Sequence, residues 1–179
     1  MAGDSRWVTS NQAYGAFWKA VPLELKVISR PPAATEVRDS LPSRECLSKL
    51  LQKHGLRERP VNGDGNCQFR AMADQLYGSE DHHMAIREQV VLQLMGCSER
   101  YQGFVPGRFE DYLRDMAQSG SWGDHVTLQA AADALGVRIH VLTDHLTDAF
   151  IEVLPREQKS NKVLRLSFWA EVHYNSLAD

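Results

Sequence analysis

The sequence predicts an α+β fold: a small, mostly antiparallel sheet covered by helices. Five stretches between about residues 43 and 135 carry apolar side chains three or four residues apart, the spacing of one helical face. The period changes to alternation at Val137, and strand-like runs crowd the last third of the chain. Helices first and strands last is the α+β pattern. Composition agrees with an ordinary globular domain, since 43% hydrophobic and 24% charged residues exclude wholesale disorder, collagen-like repeats and coiled coil.

The elements follow in order. Tyr14, Phe17, Trp18 and Val21 would share one helical face, with Ser10 or Asn11 as N-cap. This predicts that residues 1–34 form an extension, docked through a helix and closed by Arg30-Pro31-Pro32-Ala33-Ala34, with a partner-binding peptide or an added remnant as the alternative. Residues 35–179 form the main domain. Ser43 caps a helix with Cys46, Leu47, Leu50 and Leu51 on one stripe, stopped by Gly55. After the loop 60–66, Phe69, Met72, Ala73 and Leu76 predict a helix from about Cys67. Ile86, Val90 and Leu94 predict another over His83–Met95, and Phe109, Tyr112, Leu113 and Met116 a third. Asp124 caps the last one, through Leu128, Ala131, Ala132 and Leu135, and Gly136 closes it. The strands expected are Val137–Val141, Phe150–Leu154, Val163–Phe168 and Val172–Leu177.

Charge and cysteine usage narrow the function. A formal charge of −3 argues against a nucleic-acid partner that needs a large basic surface. Cys46, Cys67 and Cys97 include no C-x-x-C pair, so neither a disulfide framework nor a zinc ribbon is expected, and no metal or cofactor. No apolar run nears the roughly 20 residues of a membrane helix, and residues 1–25 lack a signal-peptide pattern. The expectation is a monomer with no membrane partner, in a reducing compartment, cytosol or nucleus.

The most informative stretch is Gly63-Asp64-Gly65-Asn66-Cys67. Its glycines permit a sharp turn, and the cysteine opens a helix, where the dipole and unpaired N–H groups favour thiolate and lower its pKa. The same N–H groups can hold a developing oxyanion, so nucleophile and anion hole could come from one turn. A dinucleotide fingerprint fails because Gln68 stands where a third glycine is needed, and a calcium loop fails at Phe69 and Arg70. A glycine turn before an inert buried Cys67 remains an alternative. Cys46 and Cys97 read as inert.

Seven histidines compete as the base. His82 and His83 read as solvated surface, and His54, His125, His140 and His145 lie at helix ends, on a strand's polar side or in a turn. His173 and Asn175 share one side of a strand, so an amide oxygen can accept the imidazole N–H and fix its tautomer. That is the Cys-His-Asn logic of thiol hydrolases. An edge-strand histidine without a task is the alternative.

Three blocks carry a family resemblance: Gly63-Asp64-Gly65-Asn66-Cys67-Gln68-Phe69-Arg70-Ala71, Trp122-Gly123-Asp124-His125-Val126-Thr127-Leu128-Gln129-Ala130 and Glu171-Val172-His173-Tyr174-Asn175-Ser176-Leu177. In this order they resemble the ovarian-tumour (OTU) family of cysteine deubiquitinases. The run Ser167-Phe168-Trp169-Ala170-Glu171 is most similar to its plant-type members. The resemblance implies a papain-like fold and hydrolysis of the isopeptide bond after ubiquitin's C-terminal Gly-Gly, with ubiquitin or polyubiquitin as partner. It makes Cys67 the nucleophile, His173 the general base and acid, Asn175 the orienting residue, and Asp64 a residue that sets the oxyanion loop, with the backbone N–H groups of Asp64, Gly65, Asn66 and Cys67 as candidate donors. Family members carry Asp or Asn at the last of the three catalytic places. Trp122 and Trp169 flank the blocks and would line the substrate groove, or pack. Two alternatives are a ubiquitin-binding module without turnover and a thiol hydrolase for another ubiquitin-like modifier.

Overall fold

The computed structural model describes residues 25–27, 44–143, 149–169 and 172–179. In chain order the elements are β1 (Leu25–Val27), α1 (Arg44–Lys53), β2 (Arg57–Arg59), α2 (Cys67–Tyr77), α3 (His83–Gly96), the short α4 (Ser98–Tyr101), α5 (Phe109–Met116), α6 (His125–Leu135), β3 (Arg138–Thr143), β4 (Ala149–Val153), β5 (Val163–Trp169) and β6 (His173–Ala178). Single 3-10 turns lie at Glu80–His82 and Gln102–Phe104. The expected helices after residue 43 and all four strands form, while β1, β2 and α4 are additions.

The six strands run in the order β1-β4-β3-β5-β6-β2, and every pair is antiparallel except β3 with β5. The expected α+β architecture, with a mostly antiparallel sheet, is what forms. The main core lies between one sheet face and helices α2, α3, α5 and α6, around Phe69, Met72, Ile86, Val90, Leu128, Val141 and Leu166. Each such fully buried side chain contributes about 1.5–3 kcal/mol. A smaller cluster of Leu47, Leu51, Leu142 and Leu177 fixes α1 to the opposite face.

The expected helix at Tyr14–Val21, and the cap at Ser43, lie outside the described residues. Leu25–Val27 pairs with Ile151–Val153 of β4, so this part of the expected extension belongs to the sheet. Among the described residues no helix is long and apolar enough to cross a membrane.

Strand β2 sets up the site. It pairs with β6 only over Ser176–Ala178, and Pro60 then removes a backbone donor and ends the ladder. The chain crosses the neighbouring part of β6 as a loop rather than a strand. That stretch of β6 carries His173, Tyr174 and Asn175.

Candidate active site

The loop leads from Pro60 to Cys67, the first residue of α2. Gly65 has φ +83°, and a Cβ there would lie 2.1 Å from the Gly120 carbonyl oxygen, so two backbones meet where no side chain fits. Asp64 braces the turn: its Oδ1 accepts the Asn66 N–H at 3.1 Å, and Arg70 binds its carboxylate through Nε and a 2.7 Å ion pair. Hydrogen bonds from Arg70 hold the Asp64 carboxyl far below the usual carboxylate range. Glu80 ties the other end, accepting from the backbone and side-chain nitrogens of Asn62 at 2.9 Å each.

His173 and Cys67 both border this loop, with no hydrogen bond between imidazole and thiol. The Cys67 thiol lies within reach of the backbone N–H of Tyr174, the residue after His173. His173 sets its Cε1–Nδ1 edge against Gly63, where a Cβ would lie 3.7 and 3.8 Å from those two atoms. The other ring nitrogen, Nε2, is 3.2 Å from the Val61 carbonyl oxygen. A carbonyl only accepts, so this contact puts the proton on Nε2 and leaves the Nδ1 lone pair on the edge toward Gly63.

Asn175 reaches His173 only through Val61, where the expectation was a direct hydrogen bond. Its Oδ1 accepts the Val61 N–H at 3.1 Å, and no hydrogen bond runs from the imidazole to the amide. Val61 is thus gripped at both ends of its peptide groups, N–H by Asn175 and C=O by His173. The orienting acceptor is a backbone carbonyl that Asn175 keeps in place.

Two further expectations need correction. The Asn66 N–H is engaged by Asp64, so it leaves the set of oxyanion donors, and Asp64, Gly65 and Cys67 remain. The Cys67 thiol is not driven toward thiolate: burial pushes it up, only partly offset by N–H groups of Tyr174, Gln68 and Cys67 itself, and the Asp64 charge adds to the rise. Desolvation outweighs the helix end here.

Of the two groove candidates, Trp122 stands 62% exposed just before α6. Trp169 instead joins the small cluster under α1, with the Arg44 guanidinium 5.9 Å from its ring, and packs rather than lines a groove.

Several polar residues around this loop escape a reading of the sequence. Arg87, 1% exposed, donates to Asn66 Oδ1 and the Ser121 carbonyl at 2.7 Å each and to the Met116 carbonyl at 2.8 Å, and lies 3.9 Å over the Phe69 ring. It thereby joins the nucleophile loop to the 119–121 turn, while burial pulls its pKa down to about 10. Its one signal is its place on the stripe Arg87, Val90, Val91, Leu94. Gln68 bonds the Thr127 hydroxyl at 2.7 Å and the Asp124 carbonyl at 3.0 Å, fixing α2 to the start of α6. His83, expected on the surface, is buried at 9% exposure, and that burial lowers its pKa. Glu58 lies behind Asn175, and nothing in the triplet Arg57-Glu58-Arg59 signals more than a solvated strand.

A protein-family model described as OTU-like cysteine protease matches residues 62–176. Among curated proteins, the chain is 54% identical over 139 residues to "OVARIAN TUMOR DOMAIN-containing deubiquitinating enzyme 9" of Arabidopsis thaliana, covering 78% of this chain and 40% of that protein. To enzyme 12 of the same series and organism it is 47% identical over 143 residues, covering 80% and 65%. The chain therefore spans less than two thirds of the length of these relatives. Among solved structures, the OTUD1 OTU domain matches with TM-score 0.66 and 26% identity, over 75% of this chain and 93% of that one. An OTU domain solved in complex with ubiquitin shares the fold at TM-score 0.56 and 23% identity, over 69% of each chain. The matched span runs from the loop before Cys67 to the strand carrying His173 and Asn175, and the chain belongs to the family of OTU-like cysteine proteases.

Proposed function

We propose that the chain is a deubiquitinating cysteine protease that cleaves the isopeptide bond after ubiquitin's C-terminal Gly-Gly through a thioester. The observation that carries this is the tautomer-fixed His173, its Nδ1 edge set against the glycine loop that ends in Cys67. The deubiquitinating enzymes of Arabidopsis thaliana and the OTU–ubiquitin complex support ubiquitin as the modifier.

His173 Nδ1 takes the thiol proton as the Cys67 sulfur attacks the scissile carbonyl carbon. The oxyanion faces N–H groups of the Asp64–Cys67 turn. The imidazolium returns its proton to the departing lysine amine, and the C–N bond breaks to leave a thioester. Water, deprotonated by His173, then releases the ubiquitin carboxylate and restores the thiol. Trp122 lines the approach of the substrate tail. The catalytic domain spans residues 35–179 with β1 added to its sheet, and acts in the cytosol or nucleus as a monomer, without nucleic acid or membrane.

Intact-mass detection of adducts with a ubiquitin probe bearing a C-terminal electrophile tests the reading. Wild type should gain one ubiquitin, and Cys67→Ala none. Asn175→Ala should retain slow turnover, because it acts on a base whose proton transfers supply about 10²–10⁴-fold. The second reading is a ubiquitin-binding module without turnover. Binding of ubiquitin with no adduct from folded wild type would decide for it, and adducts with other modifier probes would redirect the substrate.

A further inference from the structure

Glu58 is an acidic residue that the mechanism above leaves without a role, and its side chain is 10% exposed. It stands on β2 between Arg57 and Arg59, which turn elsewhere: Arg57 donates to the Asp179 carbonyl at 2.7 Å and Arg59 pairs with Asp74 at 2.8 Å. Glu58 points to the α1 side of the sheet. There Oε1 accepts from the Ser167 hydroxyl at 2.5 Å, from Arg44 at 3.0 Å and from Asn175 Nδ2 at 3.2 Å, and Oε2 pairs with Arg44. Burial pulls this carboxyl upward, but the Arg44, Ser167 and Asn175 hydrogen bonds outweigh it and keep it ionised. Facing it are Arg44 from α1, Ser167 from β5 and, beyond Asn175 on β6, His173; Glu45 and Lys49 of α1 pair with each other in solvent.

The partners leave Asn175 a single orientation. The Val61 N–H can only donate and an ionised Glu58 can only accept, so Oδ1 must face Val61 and Nδ2 must face Glu58. We propose that Glu58 is a positioning residue for the His173 base: it fixes the Asn175 amide that holds Val61, and its charge is the reason an amide rather than a carboxylate serves at position 175. An aspartate there would put a second carboxylate oxygen about 3.2 Å from Glu58 Oε1, where the two cannot both ionise. With one proton held between them the pair imitates the native N–H···O contact. Once that proton leaves, repulsion drives residue 175 off Val61.

The proposal rests on the thiol-hydrolase reading, and two readouts separate them. Wild type, N175D, E58Q and the swap E58Q/N175D are compared by the pH profile of kcat/KM on a ubiquitin substrate and by the rate of Cys67 alkylation with iodoacetamide, which needs no ubiquitin. N175D should lose activity on the alkaline side by about tenfold or more, within the range a positioned base supplies. The swap restores one donor facing one carboxylate and should recover the wild-type profile. E58A should lower kcat with KM unchanged, and E58Q, which keeps an acceptor, should recover most of it. An N175D variant that unfolds while the swap folds and turns over also supports the proposal. It is overturned if N175D follows the wild-type profile, if the swap loses as much as N175D, or if E58A leaves kcat intact. Wild type that alkylates but cleaves no ubiquitin would sink the functional reading alone, and the alkylation profiles would still decide on Glu58.

Discussion

At the residue scale, Cys67 is caught between two opposed effects. It opens a helix, whose N–H groups favour the thiolate, and it is half-buried, which favours the thiol; the loss of solvent outweighs the helix end. Alkylation of Cys67 should therefore rise with pH through a midpoint above the value of about 8.5 for an ordinary cysteine. A midpoint below that value would show that the helix end dominates. On the proposed mechanism, His173 must then take the proton during attack, so its alignment through Val61 matters. Gly65 is a second sensitive point. Its φ of +83° and the 2.1 Å approach of a Cβ to the Gly120 carbonyl leave Gly65→Ala no place to go without moving the loop. That variant should lose about 1–3 kcal/mol in a urea melt and most of its probe labelling; unchanged labelling would mean the loop has slack. Cys67, His173 and Asn175 were legible because glycines before a cysteine and an i, i+2 pair on a strand are local patterns. Glu58, Arg87 and Gln68 were not, because a polar residue reads as surface until the fold closes around it.

At the element scale, α6 shows how one side chain secures both a helix and the site. The Asp124 carboxylate accepts the Thr127 N–H at 2.9 Å while the Thr127 hydroxyl accepts the Asp124 N–H at 2.7 Å, a complete capping box. Tyr112 of α5 donates to the same carboxylate at 3.0 Å, and Gln68 of α2 reaches the Asp124 carbonyl. Asp124→Ala should cost about 1–2 kcal/mol as a lost cap, with more from the stranded Tyr112 hydroxyl, read as a lower urea midpoint. An unchanged midpoint would mean that Thr127 and Gln68 hold the helix start alone. The Asp124 cap and the Gly136 stop were visible in advance because each depends on one residue type at one place. The three-residue strands β1 and β2 were not, since so short a segment has no period and forms only by pairing with β4 and β6.

At the scale of the whole molecule, the sheet closes on strands distant in sequence. Removing residues 1–43 would take away β1 and bare the edge of β4, so the shortened chain should self-associate more readily by light scattering while keeping its probe labelling. Loss of labelling would show that β1 supports the site. Segregated helices and strands made the fold class readable, whereas the order of strands rests on long-range pairings that no local pattern records. The pairing of β2 with β6 has a temporal meaning. During synthesis the nucleophile loop is made early, yet β2, Val61 and Glu58 find their partners only once Ser176–Ala178 exist. A ribosome-bound chain that has passed Cys67 but not His173 carries a sulfur without a base and a loop without its clamp. On the proposed mechanism, the emerging chain is silent until β6 is made.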